Sequence, residues 1–133
     1  WFLPRVVGIS KALHWCFSGR IIDAQEALQS DLISEVVQKD ELLIKAKTIA
    51  REIVLNTSAV SIALTRQMMW KMLGEKDPMA AHRIDSKSIF ALGRSNDAKE
   101  GVQSFLEKRN PNFIDKVSVD MPKFYPWWDD DSF

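Results

Sequence analysis

"DAKEGVQSFLEKRNPNF", residues 97–113, is the stretch whose reading decides the rest of the chain. Asp97 stands three residues before Glu100, the spacing of a capping box, and Asn110-Pro111 is a stop, so a helix is predicted over 98–109. On a wheel of about 100° per residue, Ala98, Val102 and Leu106 fall on one side, the expected buried face. Phe105 lies at the edge of that side with Lys108 next to it, and Gly101 leaves open space between them. A flat ring could rest on Phe105 while Lys108 meets a phosphate. The same pair equally suits packing at a core edge and capping of a helix end.

Upstream, the pattern is helical almost throughout. Pro78 opens a predicted helix to about Leu92, after the turn "GEKDP". The helix before it, about Ser58 to Leu73, carries two apolar arcs. Val60, Leu64, Met68 and Met72 form one; Ala59, Ile62, Ala63, Met69, Trp70 and Leu73 form the other. A helix apolar on two sides packs between two layers, and the second layer can belong to another subunit. From Asp40, residues Leu42, Ala46, Ile49, Ala50 and Ile53 give a further amphipathic stripe, broken at Asn56-Thr57-Ser58.

The first forty residues are more mixed. Pro4 suits a first helical turn that Gly8 closes, and Ser10 is the expected cap of a helix ending at Gly19. Asp23 and Glu26 repeat the capping-box spacing. "LISEVV", residues 32–37, alternates apolar and polar side chains and predicts a short strand. After Phe113 the tail has prolines and aromatics without a helical period, and is expected to run extended over a surface.

Lys plus Arg and Asp plus Glu both number 18 among 133 residues, so the formal charge is zero and no nucleic-acid or anionic-membrane footprint is expected. No run approaches the length of a membrane span. The one cysteine, Cys16, sits between Trp15 and Phe17, where a buried inert thiol in a reducing, cytoplasmic setting is expected. His14 and His82 have no partner at metal or nucleophile spacing; His82 and Asp85 suit a surface contact. No phosphate loop or nucleophile elbow is present. Asp129 to Asp131 are continuous rather than spaced as ligands, and suit a solvated terminus.

"FLPRVVG", "SGRIIDAQEAL", "LISEVVQKDELL", "AKTIAREI" and "DAKEGVQSFLEKRNPNF", in this order and spacing, resemble the C-terminal half of the enoyl-CoA hydratase/isomerase (crotonase) superfamily. The resemblance implies a mainly α chain with at most one or two short strands. It divides as 1–39, the end of the crotonase core; 40–116, a helical oligomerisation domain; and 117–133, an extended aromatic and acidic tail. It implies a coenzyme A thioester as substrate, no permanently bound cofactor, and a trimer or dimer of trimers when complete. The oxyanion hole and the catalytic carboxylates of the family lie in the N-terminal half, upstream of the position of Trp1, so no catalytic residue is expected in this chain. Phe105 and Lys108 align with the Phe and Lys that meet the adenosine 3'-phosphate end of CoA bound to a neighbouring subunit. A non-catalytic helical assembly module is the alternative. Asp31 departs from the pattern, since the family usually has Gly there; a helix C-cap often needs positive φ, which Asp tolerates less well, so the following strand is expected to be re-angled or lost.

Overall fold

The computed structural model describes residues 1–128, so the acidic run Asp129–Asp131 lies outside the described residues. Seven helices are assigned among them: α1 Leu3–Val7, α2 Ile9–Ser18, α3 Ala24–Gln29, α4 Leu42–Asn56, α5 Ala59–Met72, α6 Pro78–Leu92 and α7 Asn96–Glu107. The chain is mainly α, as its periodicity predicts. It forms two compact units, Trp1–Ala46 and Lys47–Phe133, whose boundary falls within α4.

In the first unit Pro4 sits in the opening turn of α1, and Gly8, at φ 80°, separates α1 from α2. Ser10 does not cap α2: the N-cap is Gly8, which has no side chain to offer. Gly19, at φ 60°, closes α2 in the left-handed conformation and returns its N–H to Trp15. Ala12 and Trp15 are the buried face of α2, and Ala27 is the buried residue of α3. The Trp15 indole N–H donates to Glu26 Oε1 at 2.9 Å, and the Arg20 guanidinium donates to the same oxygen. Asp23 does cap α3, accepting from the Glu26 N–H at 2.8 Å. Cys16 is exposed, contrary to expectation, because the buried face of α2 is narrow and Cys16 falls beside it.

The predicted strand over 32–37 does not form, and no strand is assigned among the described residues. Alternation alone cannot make a strand; it needs a neighbour to complete the ladder. Asp31 nevertheless takes the left-handed conformation expected of a glycine at a helix end, with φ 57°. Its N–H donates to Leu28 O and that of Leu32 to Ala27 O, at 3.1 and 3.0 Å, the paired bonds that end a helix in a Schellman turn.

The second unit is built on α5 and α6. Val60 and Leu64 are fully buried, while Met68 and Met72 of the same arc are half-buried. Ser88 of α6 is buried and its hydroxyl approaches the Met68 sulfur at 3.8 Å. The other arc of α5 is largely uncovered, with Ile62, Met69 and Leu73 exposed. The stripe of α4 is uncovered as well: Leu42, Ile49 and Ile53 are exposed and no residue of the helix is buried.

Beyond the helices, Tyr125, Trp127 and Trp128 pack edge to face, with ring centroids 4.9–6.1 Å apart. Lys71 of α5 lies over the Trp128 ring at 4.3 Å. Trp127 and Trp128 thus line a pocket with Met72, Ala80 and Ile84, on the body of their own unit.

Candidate functional site at the end of the last helix

α7 begins two residues earlier than its sequence suggests. Ser95 is the N-cap, its hydroxyl accepting from the Ala98 N–H at 3.0 Å. Asp97 and Glu100 are therefore free of capping duty, and both reach the chain that follows the helix instead. Asp97 Oδ1 accepts from the N–H groups of Ile114 and Asp115, at 2.7 and 3.1 Å. Glu100 Oε1 accepts from the Asn112 N–H at 2.7 Å. Two carboxylates one turn apart thus hold residues 112–115 along one side of the helix.

That strap decides which side of α7 is buried. Asp97 and Ser104 are buried, Ala98 and Gly101 half-buried, and the Phe113 ring passes 3.8 Å from where a Gly101 Cβ would stand. The Phe113 ring thus stands against Gly101 at ordinary contact distance, and Gly101 also lines the cleft beside Asp97. Val102 and Leu106, the expected buried face, are 63% and 72% exposed. The small and polar side meets the chain's own loop because small side chains allow a backbone to approach closely. The apolar side is left outward.

Burial pushes the Asp97 pKa up, but the Ser58 hydroxyl and the N–H groups of Asp115 and Ile114 outweigh it and hold the carboxyl below the usual range. The Ser58 contact falls short of hydrogen-bond geometry, so Asp97 Oδ2 is buried without a full partner among the described residues. A cleft of about 520 Å³ opens beside it, walled by Ser58, Ser61, Ile62, Ile89 and Phe113. Neither Phe105 nor Lys108 lines that cleft.

Phe105 and Lys108 stand at the other end of α7. Phe105 is 82% exposed. Lys108 ends the helix at φ 54°, ψ 41°, in the left-handed conformation. Its N–H donates to Phe105 O and that of Arg109 to Ser104 O, at 3.3 and 3.1 Å, a second Schellman turn with a non-glycine residue at its left-handed position. The Arg109 guanidinium closes the turn. It donates to both oxygens of Glu100, at 2.6 and 2.9 Å, to Glu107 at 2.6 Å and to the Asn110 carbonyl at 3.1 Å. The Arg109 side chain, then the Asn112 N–H, lower the Glu100 pKa to about 2. Hydrogen bonds from Gln103 and Arg109 also hold Glu107 below its ordinary value.

Sequence reasoning placed Phe105 and Lys108 at this helix end but missed Asp97, Glu100 and Arg109 as the groups that shape it. The available signal was Ser95, as good an N-cap as Asp97 and two residues earlier, which would have released both carboxylates for another role. His14, His82 and Asp85 are all exposed. No group of His, Cys, Asp and Glu among the described residues is placed to hold a metal ion, and no described helix is long and apolar enough to cross a membrane.

Comparison with known proteins agrees with this architecture. A family model for enoyl-CoA hydratase/isomerase matches residues 1–116. The enoyl-CoA hydratase AKT3-2 of Alternaria alternata is 39% identical over 117 residues, 87% of this chain and 39% of that protein. The crotonyl-CoA hydratase of Syntrophomonas wolfei is 34% identical over 114 residues, 86% of this chain and 43% of that protein. Among solved structures, a probable enoyl-CoA hydratase/isomerase from Mycobacterium abscessus superposes with a TM-score of 0.81 at 26% identity, over 87% of this chain and 46% of that one. The enoyl-CoA hydratase of Bacillus anthracis gives 0.78 at 29% identity, over 84% and 42%. This chain spans about two fifths of the length of the curated relatives it matches. With a family model over residues 1–116, the chain belongs to the enoyl-CoA hydratase/isomerase family.

Proposed function

We propose that this chain is the C-terminal, helical portion of an acyl-CoA-processing crotonase, and that it supplies oligomerisation surface and one wall of a coenzyme A site. The observation that carries the proposal is the end of α7. Phe105 is presented to solvent at 82% exposure, Lys108 three residues on is exposed as well, and Val102 and Leu106 of the same helix are exposed with them. Among the described residues nothing packs over that ring, and no ion pair engages that cation. They suit the adenine and 3'-phosphate of CoA held by a neighbouring subunit. The exposed stripes of α4 and α5 suit the subunit contacts that bring such a neighbour close. In this reading the reaction itself, whether hydration, isomerisation or another use of a thioester enolate, is selected by residues outside this chain.

The test is calorimetric titration of the complete enzyme with CoA and with dephospho-CoA, which lacks the 3'-phosphate. Lys108→Ala is expected to weaken CoA about ten- to a hundredfold, as befits a lost charge-assisted contact, and to change dephospho-CoA little. Phe105→Ala is expected to weaken both. Equal losses for the two ligands in Lys108→Ala would remove the phosphate assignment. No loss in either variant would favour a helical assembly module without a CoA site.

A further inference from the structure

Resting on the CoA-site reading above, we propose that the Glu100–Arg109 pair is a positioning device for 3'-phosphate recognition: it holds Lys108 in its left-handed turn, while Arg109 itself does not contact the ligand. Three observations converge. Lys108 has φ 54° where a helix end ordinarily uses glycine, so its conformation needs outside support. The support is visible next to it. The Arg109 fork meets both Glu100 oxygens, and the same Glu100 takes the Asn112 N–H, so one carboxylate ties the residue after Lys108 and the loop beyond it to the helix. Finally, Arg109 is already engaged by Glu100 and Glu107, which leaves Lys108, among the described residues, as the cation at this tip without such a partner.

Bidentate geometry is the essential part. A guanidinium presents two parallel N–H groups to a carboxylate, whereas an ammonium offers a single point of charge. Lysine at position 109 would keep the charge at the tip and lose the fork. The role also differs from simple attraction of an anion: freeing Arg109 from Glu100 would add positive potential, yet it would release the turn that aims Lys108.

The experiment compares CoA with dephospho-CoA on the complete enzyme in four variants: Lys108→Ala, Arg109→Lys, Glu100→Gln, and the charge-neutral double change Glu100→Gln with Arg109→Gln. The ratio of the two affinities is the readout, because damage to the rest of the site alters both ligands together. Arg109→Lys, Glu100→Gln and the double variant are expected to lower the ratio about three- to tenfold, part of the loss expected for Lys108→Ala. An unchanged ratio in the double variant, alongside a collapsed one in Lys108→Ala, overturns the positioning role and leaves the CoA site standing. A ratio that rises in Glu100→Gln also overturns it, because the freed guanidinium would then be reading the phosphate directly. If Lys108→Ala itself leaves the ratio unchanged, the CoA-site reading fails first and the positioning role falls with it. Should the double variant not fold, Arg109→Lys decides alone: a ratio equal to that of the parent enzyme overturns the proposal.

Discussion

Asp97 and Asp115 exchange hydrogen bonds through each other's backbone. The Asp97 N–H donates to Asp115 Oδ2 and the Asp115 N–H donates to Asp97 Oδ1, both at 3.1 Å. Two buried carboxylates thus pin the start of α7 to the chain that returns past it, and Asn96 adds a side-chain bond to Asp115 at 3.3 Å. Asp97→Ala would leave the Asp115 N–H without an acceptor in a buried place, and the Ile114 N–H without one in a part-buried place, a cost of about 1–3 kcal/mol. Asp97→Asn keeps an oxygen acceptor and is expected to lose less. Denaturant unfolding of the two variants checks the order; equal losses would mean that the turn needs the carboxylate charge rather than an oxygen acceptor.

Acid should loosen two other carboxylate contacts, those of Glu26 and Glu100. Glu26 and Glu100 both have pKa values lowered from 4.5 to about 2, chiefly by hydrogen bonds from Arg20 and Arg109 respectively. A folded-state value below the unfolded one stabilises the fold above the unfolded pKa. That contribution is lost as pH falls through the folded value. Thermal midpoints are therefore expected to decline between pH 4.5 and about 2, and Glu100→Gln should flatten part of the decline. An identical slope in the variant would remove Glu100 from the acid response.

Much of the fold was legible because α-helices declare themselves by period and punctuation. Pro78, Gly19 and the Asn56-Thr57-Ser58 break mark boundaries that the structure keeps. The errors arose where a residue type has two uses. Asp97 looks like a cap by spacing, yet Ser95 caps the helix and Asp97 binds the returning chain, a tertiary contact that no local pattern carries. Val102 and Leu106 were expected inside because apolar residues on one side of a helix usually face the core. The small side of Ala98, Gly101 and Ser104 faced the chain's own loop instead. Residues 32–37 alternate like a strand, but pairing is a property of two segments and no second segment among the described residues pairs with them. Phe105 and Lys108 were placed at the correct helix end; the salt bridges that shape that end depend on rotamers the sequence does not specify.

The outward faces of α4, α5 and α7 lead to a third expectation. Val102, Leu106, Met69 and Ile53 lie among exposed large apolar side chains on three helices, surface of the kind that subunit contacts cover. The chain is expected to self-associate at micromolar concentration, and Leu106→Glu to weaken that association without unfolding α7. Light scattering on both proteins measures it, and a stable monomer at high micromolar concentration would count against subunit contacts through these faces.

Alone, residues 1–133 are expected to show no hydration of crotonyl-CoA above background. The family's oxyanion hole and proton-moving carboxylates are placed by the resemblance in the other half of the enzyme, and each contributes about a hundredfold or more. Turnover that disappears on mutating a residue of this chain would overturn the assignment of catalysis elsewhere.

Lys108 offers the sharpest separation of folding from binding. A left-handed conformation costs a side-chain-bearing residue about 1 kcal/mol or more relative to glycine, and Lys108 adopts it at φ 54°. If Lys108 only closed the helix, glycine would do so better. Lys108→Gly is therefore expected to raise the thermal midpoint by a few degrees while lowering CoA affinity in the complete enzyme about ten- to a hundredfold. Lys108→Ala should keep the strain and lose the cation, so its midpoint should stay close to that of the parent. Such opposite movement of stability and affinity is what a residue retained for its charge produces, since function holds it in a conformation that folding alone would not select. A glycine variant that is more stable and binds CoA as tightly as the parent would show that the turn is merely tolerated, and would leave Lys108 without a role in the site.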